Sequence, residues 1–266
     1  MEENRKTLKV YHGIIMLVLS AVCVFFVNPI LGAKLGLYGT LLNEILLLVL
    51  AVALTAAVRG DLDGTLTDPK EGITKSVAYA LKHFGIDVED LDTLCKFIGP
   101  PLKDSFMQYY GLSEDDAHLA VEKYREYFEP CGMFQNKVYD GVENLLKELK
   151  TSGKEIVLAT SKPGVYAQKI LEHFHLDSYF SYVAGSELDG RRVKKGDVIA
   201  YALEKMNIKE YSQAVMIGDR EHDIIGAKEH GLSCIGVLYG YGSREEFERY
   251  GADCIVETVS ELREEL

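Results

Sequence analysis

This sequence lacks a disulfide or zinc framework. Its five cysteines, Cys23, Cys95, Cys131, Cys234 and Cys254, are scattered with no C-x-x-C pair, so they read as buried thiols in a reducing compartment. Basic charge is also short. Lysine and arginine number 29 against 41 aspartates and glutamates, for a formal net charge of −12. Residues 1–60 carry Arg5, Lys6, Lys9, Lys34 and Arg59 against Glu2, Glu3 and Glu44, a balance of +2, which leaves −14 for the remainder. An acidic body with no basic stripe argues against a nucleic-acid partner, because nothing offsets repulsion from the phosphate backbone. It does not exclude a small phosphate ester, whose local field a bound cation and a lysine would set. Of the seven histidines only His222 falls inside a chemistry-bearing motif.

Apolar residues dominate the first sixty positions. Gly13 to Val27 is one uninterrupted run, ended by Asn28-Pro29, and Leu35 to Val58 is a second, broken chiefly by Asn43 and Glu44. A bilayer core takes about 20 apolar residues per helix. The first run reaches that length only with its flanks, and Glu44 is costly in lipid unless it faces protein or the interface. Basic residues before the first run and after the second predict a transmembrane helical hairpin over 1–52 with both ends cytoplasmic. Membrane association would then run through residues 13–58, with the remainder of the chain in the cytoplasm. A signal peptide would leave the second run unexplained, and two buried soluble helices would lack a covering shell.

From Asp140 onward short apolar runs alternate with amphipathic ones. Ile156–Ala159, Tyr182–Ala184, Ala214–Ile217 and Cys234–Leu238 read as strands. Val142–Leu149, Val165–Phe174, Val198–Met206 and Ile224–His230 read as helices. This rhythm predicts an α/β, Rossmann-like parallel sheet covered by helices on both faces. Between Glu71 and Lys137 the pattern is helical throughout, over 73–84, 91–97, 102–110 and 114–128.

Four short stretches carry the chemistry, each where a buried strand gives way to a loop. They are Asp61-Leu62-Asp63-Gly64-Thr65-Leu66-Thr67, Leu158-Ala159-Thr160-Ser161-Lys162, Lys194-Lys195, and Gly218-Asp219-Arg220-Glu221-His222-Asp223. Paired carboxylates, a hydroxyl, a lysine and two further carboxylates are the parts needed for magnesium-dependent transfer of a phosphoryl group to an aspartate. Ligands of open parallel sheets bind at the carboxyl ends of strands, where all four stretches fall.

In that order the stretches resemble the haloacid dehalogenase-like hydrolase superfamily, from about Asp61 to the C-terminus. Asp68-Pro69, Gly72-Ile73, Phe97 to Leu102, Ser161-Lys162-Pro163, Gly185-Ser186 and Leu238 to Gly242 narrow the likeness to the phosphoglycolate phosphatase and 5'-nucleotidase branch. The resemblance implies a catalytic core over 53–70 and 138–266, with a small helical cap over 71–137 inserted after the first motif. It implies Asp61 as nucleophile and Asp63 as general acid and base. Thr160 would bind the phosphoryl group, and Lys195, whose spacing fits the family better than that of Lys194, would neutralise its charge. Mg2+ would be held by Asp61, the Asp63 carbonyl, Asp219 and Asp223. Gly64, Thr65, Ser161, Lys162, Gly99 and Pro100 would bind substrate. The implied activity is hydrolysis of a small phosphate ester, phosphoglycolate-like or a nucleoside 5'-monophosphate. A sugar phosphomutase, or a membrane-tethered or fused module with little activity, are the alternatives.

The approach to the first motif is anomalous. Residues near 53–60 cannot be both membrane helix and central strand, and Arg59 and Gly60 are poor occupants of a buried strand. Either the second apolar run stops near Val52 and a weak strand follows, or a foreign hairpin is joined to a truncated phosphatase. The sequence leans to the latter.

Overall fold

In the computed structural model, which describes residues 57–208 and 214–266, β1 (Ala57–Gly60) sits in the middle of a sheet despite its composition. On one side lie β4 (Glu155–Pro163) and β5 (Tyr182–Ser186). On the other lie β6 (Ala214–Gly218), β7 (Ser233–Val237) and β8 (Cys254–Val256), giving the order β5-β4-β1-β6-β7-β8. All pairings in this sheet are parallel. The anticipated Rossmann-like arrangement is therefore present, with one edge strand, β8, that the apolar pattern did not announce.

Helices cover both faces. α4 (Val142–Thr151) buries Val142, Leu145, Leu146 and Leu149, the three- and four-residue spacing of one helical stripe. α5 (Gly164–His173) buries Tyr166, Ala167, Ile170 and Leu171. These side chains join a core that includes Val58, Ile156, Leu158 and Ile217. The opposite core is built from Val157, Ala159 and Met216 with α6 (Lys195–Lys205) and α7 (Glu221–Glu229), which contribute Val198, Ile199, Ala202, Ile224 and Ala227. α8 (Arg244–Tyr250) and α9 (Val259–Glu265) close the chain.

Between β2 (Thr67–Asp68) and β3 (Lys137–Val138), which pair antiparallel, lies a helical insert. It comprises α1 (Lys70–His83), a 3-10 segment at Leu91–Phe97, α2 (Leu102–Tyr110) and α3 (Glu114–Phe128). Leu91–Phe97 is helical as its spacing suggests, in the 3-10 form. The Asp90 side chain caps it by accepting from Asp92 N, and Pro100-Pro101 follow closely. α3 begins at Ser113, whose hydroxyl accepts from Asp116 N at 3.1 Å. α1 packs on α3 through Ile73, Val77, Ala80 and Leu81 facing Ala117, Ala120 and Tyr124.

Two expectations need correction or relocation. Of the described cysteines only Cys234 is buried, and Cys131 is exposed. The hairpin expected over 1–52 lies outside the described residues; among those described, no helix is long and apolar enough to cross a membrane. The junction resolves as a strand at Ala57–Gly60, but a strained one chemically. Arg59 is wholly buried, and none of its three side-chain nitrogens meets a hydrogen-bond partner among the described residues. Its strand neighbours are Val157 and Met216. Burial pulls its pKa down to about 10, against the opposing pull of Glu155.

Candidate active site

Strand register assembles the site. Gly60 pairs with Leu158 and with Ile217, so Asp61 emerges level with Ala159 and Gly218, one step before Thr160 and Asp219. The Asp61 amide donates to Ile217 O at 3.0 Å, which carries the β1–β6 pairing up to the motif itself. Asp61, Asp63, Thr160, Lys195, Asp219 and Asp223, from four separate stretches of chain, are all buried at this end of the sheet.

Lys195, in the first turn of α6, is the hub. Its Nζ lies 2.9 Å from Asp61 Oδ1 and 2.8 Å from Asp223 Oδ1, and donates to Ala159 O at 3.1 Å. Burial pulls the Lys195 pKa down, but Asp223 and Asp61 more than reverse this and hold the ammonium charged. Lys194 is exposed. Leu62 N also donates to Asp61 Oδ1, at 2.8 Å. Asp223 is aligned by the Arg220 amide, which donates to its Oδ2 at 3.0 Å. Asp219 Oδ2 accepts from Tyr241 N at 2.9 Å, while its Oδ1 is buried without a partner.

Carboxylate oxygens of Asp61, Asp219 and Asp223 lie within 4.8 Å of one another. Among the described residues, only one ammonium pairs with these three acids. Burial, then repulsion from Asp223 and Asp61, holds Asp219 far above the usual carboxylate range. Asp223 is raised by burial and by Asp61 in spite of Lys195. Excess buried negative charge, an orphaned Asp219 oxygen and an all-oxygen donor set suit a hard divalent cation such as Mg2+.

Gly64 holds this cluster tight. Its backbone is left-handed (φ +77°), and a Cβ there would sit 2.0 Å from Asp219 Oδ2, so no side chain fits. Asp63 forms a second pair, its Oδ2 3.0 Å from Lys162 Nζ. Burial raises the Asp63 pKa, Lys162 opposes it, and Asp61 adds to it. Lys162 also lies 4.5 Å over the Phe128 ring, which ties this pair to α3.

Above these groups is a cavity of about 540 Å3 between the strand ends and the helical insert. Asp61, Asp63, Thr160, Ser161, Lys162, Gly99 and Pro100 line it. Gly64 and Thr65 do not. Thr65 instead borders a small apolar pocket with Val58, Val142 and Leu146. Sequence reasoning missed the aromatic wall made by Phe97, Tyr124, Phe128 and Tyr166, and missed Arg125, which reaches Leu188 O at 3.0 Å. The available signal was the spacing of His118, Val121, Glu122, Arg125 and Phe128, which puts all five on one side of α3.

Comparison with known proteins identifies relatives of this chain. The family model described as haloacid dehalogenase-like hydrolase matches residues 61–237. A curated protein of Pseudomonas aeruginosa named 5'-nucleotidase is 47% identical over 206 residues, covering 77% of this chain and 93% of that protein. One of Mycobacterium tuberculosis named tyrosine-protein kinase PtkA is 38% identical over 208 residues, covering 77% and 70%. Among solved structures, a "predicted phosphatase" from Clostridium acetobutylicum is 55% identical with a TM-score of 0.77, covering 79% of this chain and 97% of that one.

Proposed function

Given that the chain belongs to the haloacid dehalogenase-like hydrolase family and is a phosphatase of it, we propose that it is a magnesium-dependent phosphomonoesterase that releases phosphate from a nucleoside 5'-monophosphate or an ester of similar size. The observation that carries this reading is the convergence of Asp61, Lys195, Asp219 and Asp223 beneath a cavity that Asp63 and Thr160 also face.

Asp61 is the nucleophile. Leu62 N and Lys195 both engage its Oδ1, which leaves Oδ2 to attack phosphorus. The bond from phosphorus to the leaving oxygen breaks as the new one forms, and the Asp63 carboxyl proton passes to that oxygen. Asp63 then takes a proton from water, whose oxygen attacks the aspartyl-phosphate. Phosphate leaves and Asp61 is restored. The raised pKa of Asp63 suits the first of its two tasks. Thr160 and the amides that follow it hold the phosphoryl oxygens, and Lys195 offsets their charge. Asp61, the Asp63 carbonyl, Asp219 and Asp223 would hold Mg2+, which supplies Lewis-acid neutralisation of the phosphoryl group when bound.

The cavity supports the leaving-group size. Its volume lies within the range of about 300–1,000 Å3 usual for drug-sized ligands, far more than a two-carbon acid fills. Its four aromatic rings offer apolar surface that such an acid would leave unused. A panel of phosphate esters, assayed with Mg2+ and with chelator, tests the proposal. Metal-dependent phosphate release with nucleoside monophosphates ahead of phosphoglycolate supports it. A rearranged ester in place of free phosphate would identify a mutase. No turnover of any ester with Mg2+ present would end it.

A further inference from the structure

Arg220 stands between the two metal-binding candidates of the last motif, yet the reaction described above gives it no task. Its guanidinium joins two separate parts of the fold. Nη1 donates to Ile98 O, in the helical insert, at 2.7 Å, and Nε lies 3.4 Å from Glu246 Oε1, on α8. Glu246 is itself fixed, since it also accepts from Glu221 N. The Arg220 amide meanwhile donates to Asp223 Oδ2. One residue therefore grips the insert with its side chain and a cluster carboxylate with its backbone.

The insert is shaped to receive it. Gly99, next to the gripped carbonyl, has φ +102°, and a Cβ there would come within 2.9 Å of Arg220 Cγ. Gly99 and Pro100 go on to line the cavity, whereas Arg220 does not. The guanidinium is thus placed to hold the wall of the cavity without touching what the cavity contains. A hydrogen bond from a charged donor is roughly twice as strong as a neutral one, and the ion pair to Glu246 sets its direction.

We propose that Arg220 is a positioning residue that fixes the Ile98–Pro101 segment over the phosphate pocket, so that the wall meeting the leaving group is aligned to the catalytic floor through the Asp219–Asp223 loop. This rests on the phosphatase reading for its kinetic consequence, but not for its structural one. Losing the grip loosens the wall and weakens substrate binding. The phosphoryl-transfer groups stay in place, because Asp223 is held by a backbone amide that any residue but proline supplies at 220.

The test uses the full chain with Arg220→Ala and Arg220→Lys, measured by steady-state kinetics on the preferred ester and by hydrogen exchange. For Arg220→Ala, KM should rise about tenfold, the effect of one charge-assisted hydrogen bond, with kcat changed by less than about threefold. Amides over 98–104 should exchange faster while those of β4 and β6 keep their wild-type rates. Arg220→Lys keeps one donor and should recover part of both effects. Unchanged KM with unchanged exchange at 98–104 would overturn the proposal, as would a fall in kcat at constant KM. The exchange arm needs no turnover. A wild-type chain inactive towards every ester would therefore end the phosphatase reading and leave exchange alone to decide the role of Arg220.

Discussion

Arg59 and Asp61 sit two residues apart and show opposite uses of buried charge. Around Asp61 every charge has a counterpart or a task. Arg59 has only the electrostatic pull of Glu155 and no hydrogen-bond partner among the described residues, lying between Val157 and Met216. A buried ion without a partner costs several kcal/mol, and exchanging it for an apolar side chain commonly recovers about 1–4 kcal/mol. Arg59→Leu should therefore stabilise the fold, raising Tm by about 2–4 °C for each kcal/mol recovered, with kcat unchanged. A thermal melt that moves downward would show that the guanidinium has compensation the structure does not reveal. In the site, Asp63→Asn removes the proposed proton donor but not the proposed nucleophile, and kcat should drop by ~10²–10⁴-fold. Lys195→Met leaves Asp61 and Asp223 facing each other without their cation. It should lower kcat by about 10²–10³-fold, the scale seen when one preorganised donor is lost, and calorimetry should show a lower Tm as well.

Elements were legible in the sequence where burial and periodicity agree. Ile156–Ala159 and Ala214–Ile217 are doubly covered strands and read as continuous apolar runs; α4 shows its stripe at Val142, Leu145, Leu146 and Leu149. Register then brought Asp61, Thr160 and Asp219 together, so most of the proposed chemistry was visible as residues at strand ends. What was not visible has physical reasons. β1 is held by its neighbours in the sheet, and its own Arg59 and Gly60 argue against it. β8 spans three residues at the sheet edge, too short to show a period. The cavity wall is tertiary, since Tyr124 and Tyr166 come from different helices and meet only in the fold. The β5–α5 crossing was hidden for the same reason. A Cβ on Gly185 would lie 2.5 Å from Gly164 Cα, and Ser186, next along, donates to Ser161 O at 2.8 Å. Gly185→Ala should overpack this crossing at a cost of about 1–3 kcal/mol. It should also displace the Ser161 loop, seen as a lower Tm together with a raised KM for phosphate esters.

At the scale of the whole molecule, a rigid α/β floor carries the charged groups and a helical insert supplies the roof. If the floor holds the phosphoryl group as proposed, its groups serve any phosphate ester and selectivity falls to the roof. The apolar runs of residues 13–58 bear on where this body works. If they act as the hairpin their flanking charges predict, the full chain will sediment with membranes and be released by detergent and not by salt. A version beginning near Val52 will stay in the supernatant. The central claim is that Asp61 carries the phosphoryl group between substrate and water. Borohydride added during turnover with Mg2+ reduces an aspartyl-phosphate to homoserine, and peptide mass spectrometry locates the change. The account predicts homoserine at position 61, lost when substrate or metal is withheld. Turnover that continues with Asp61 unmodified, or with the modification on another residue, would contradict it.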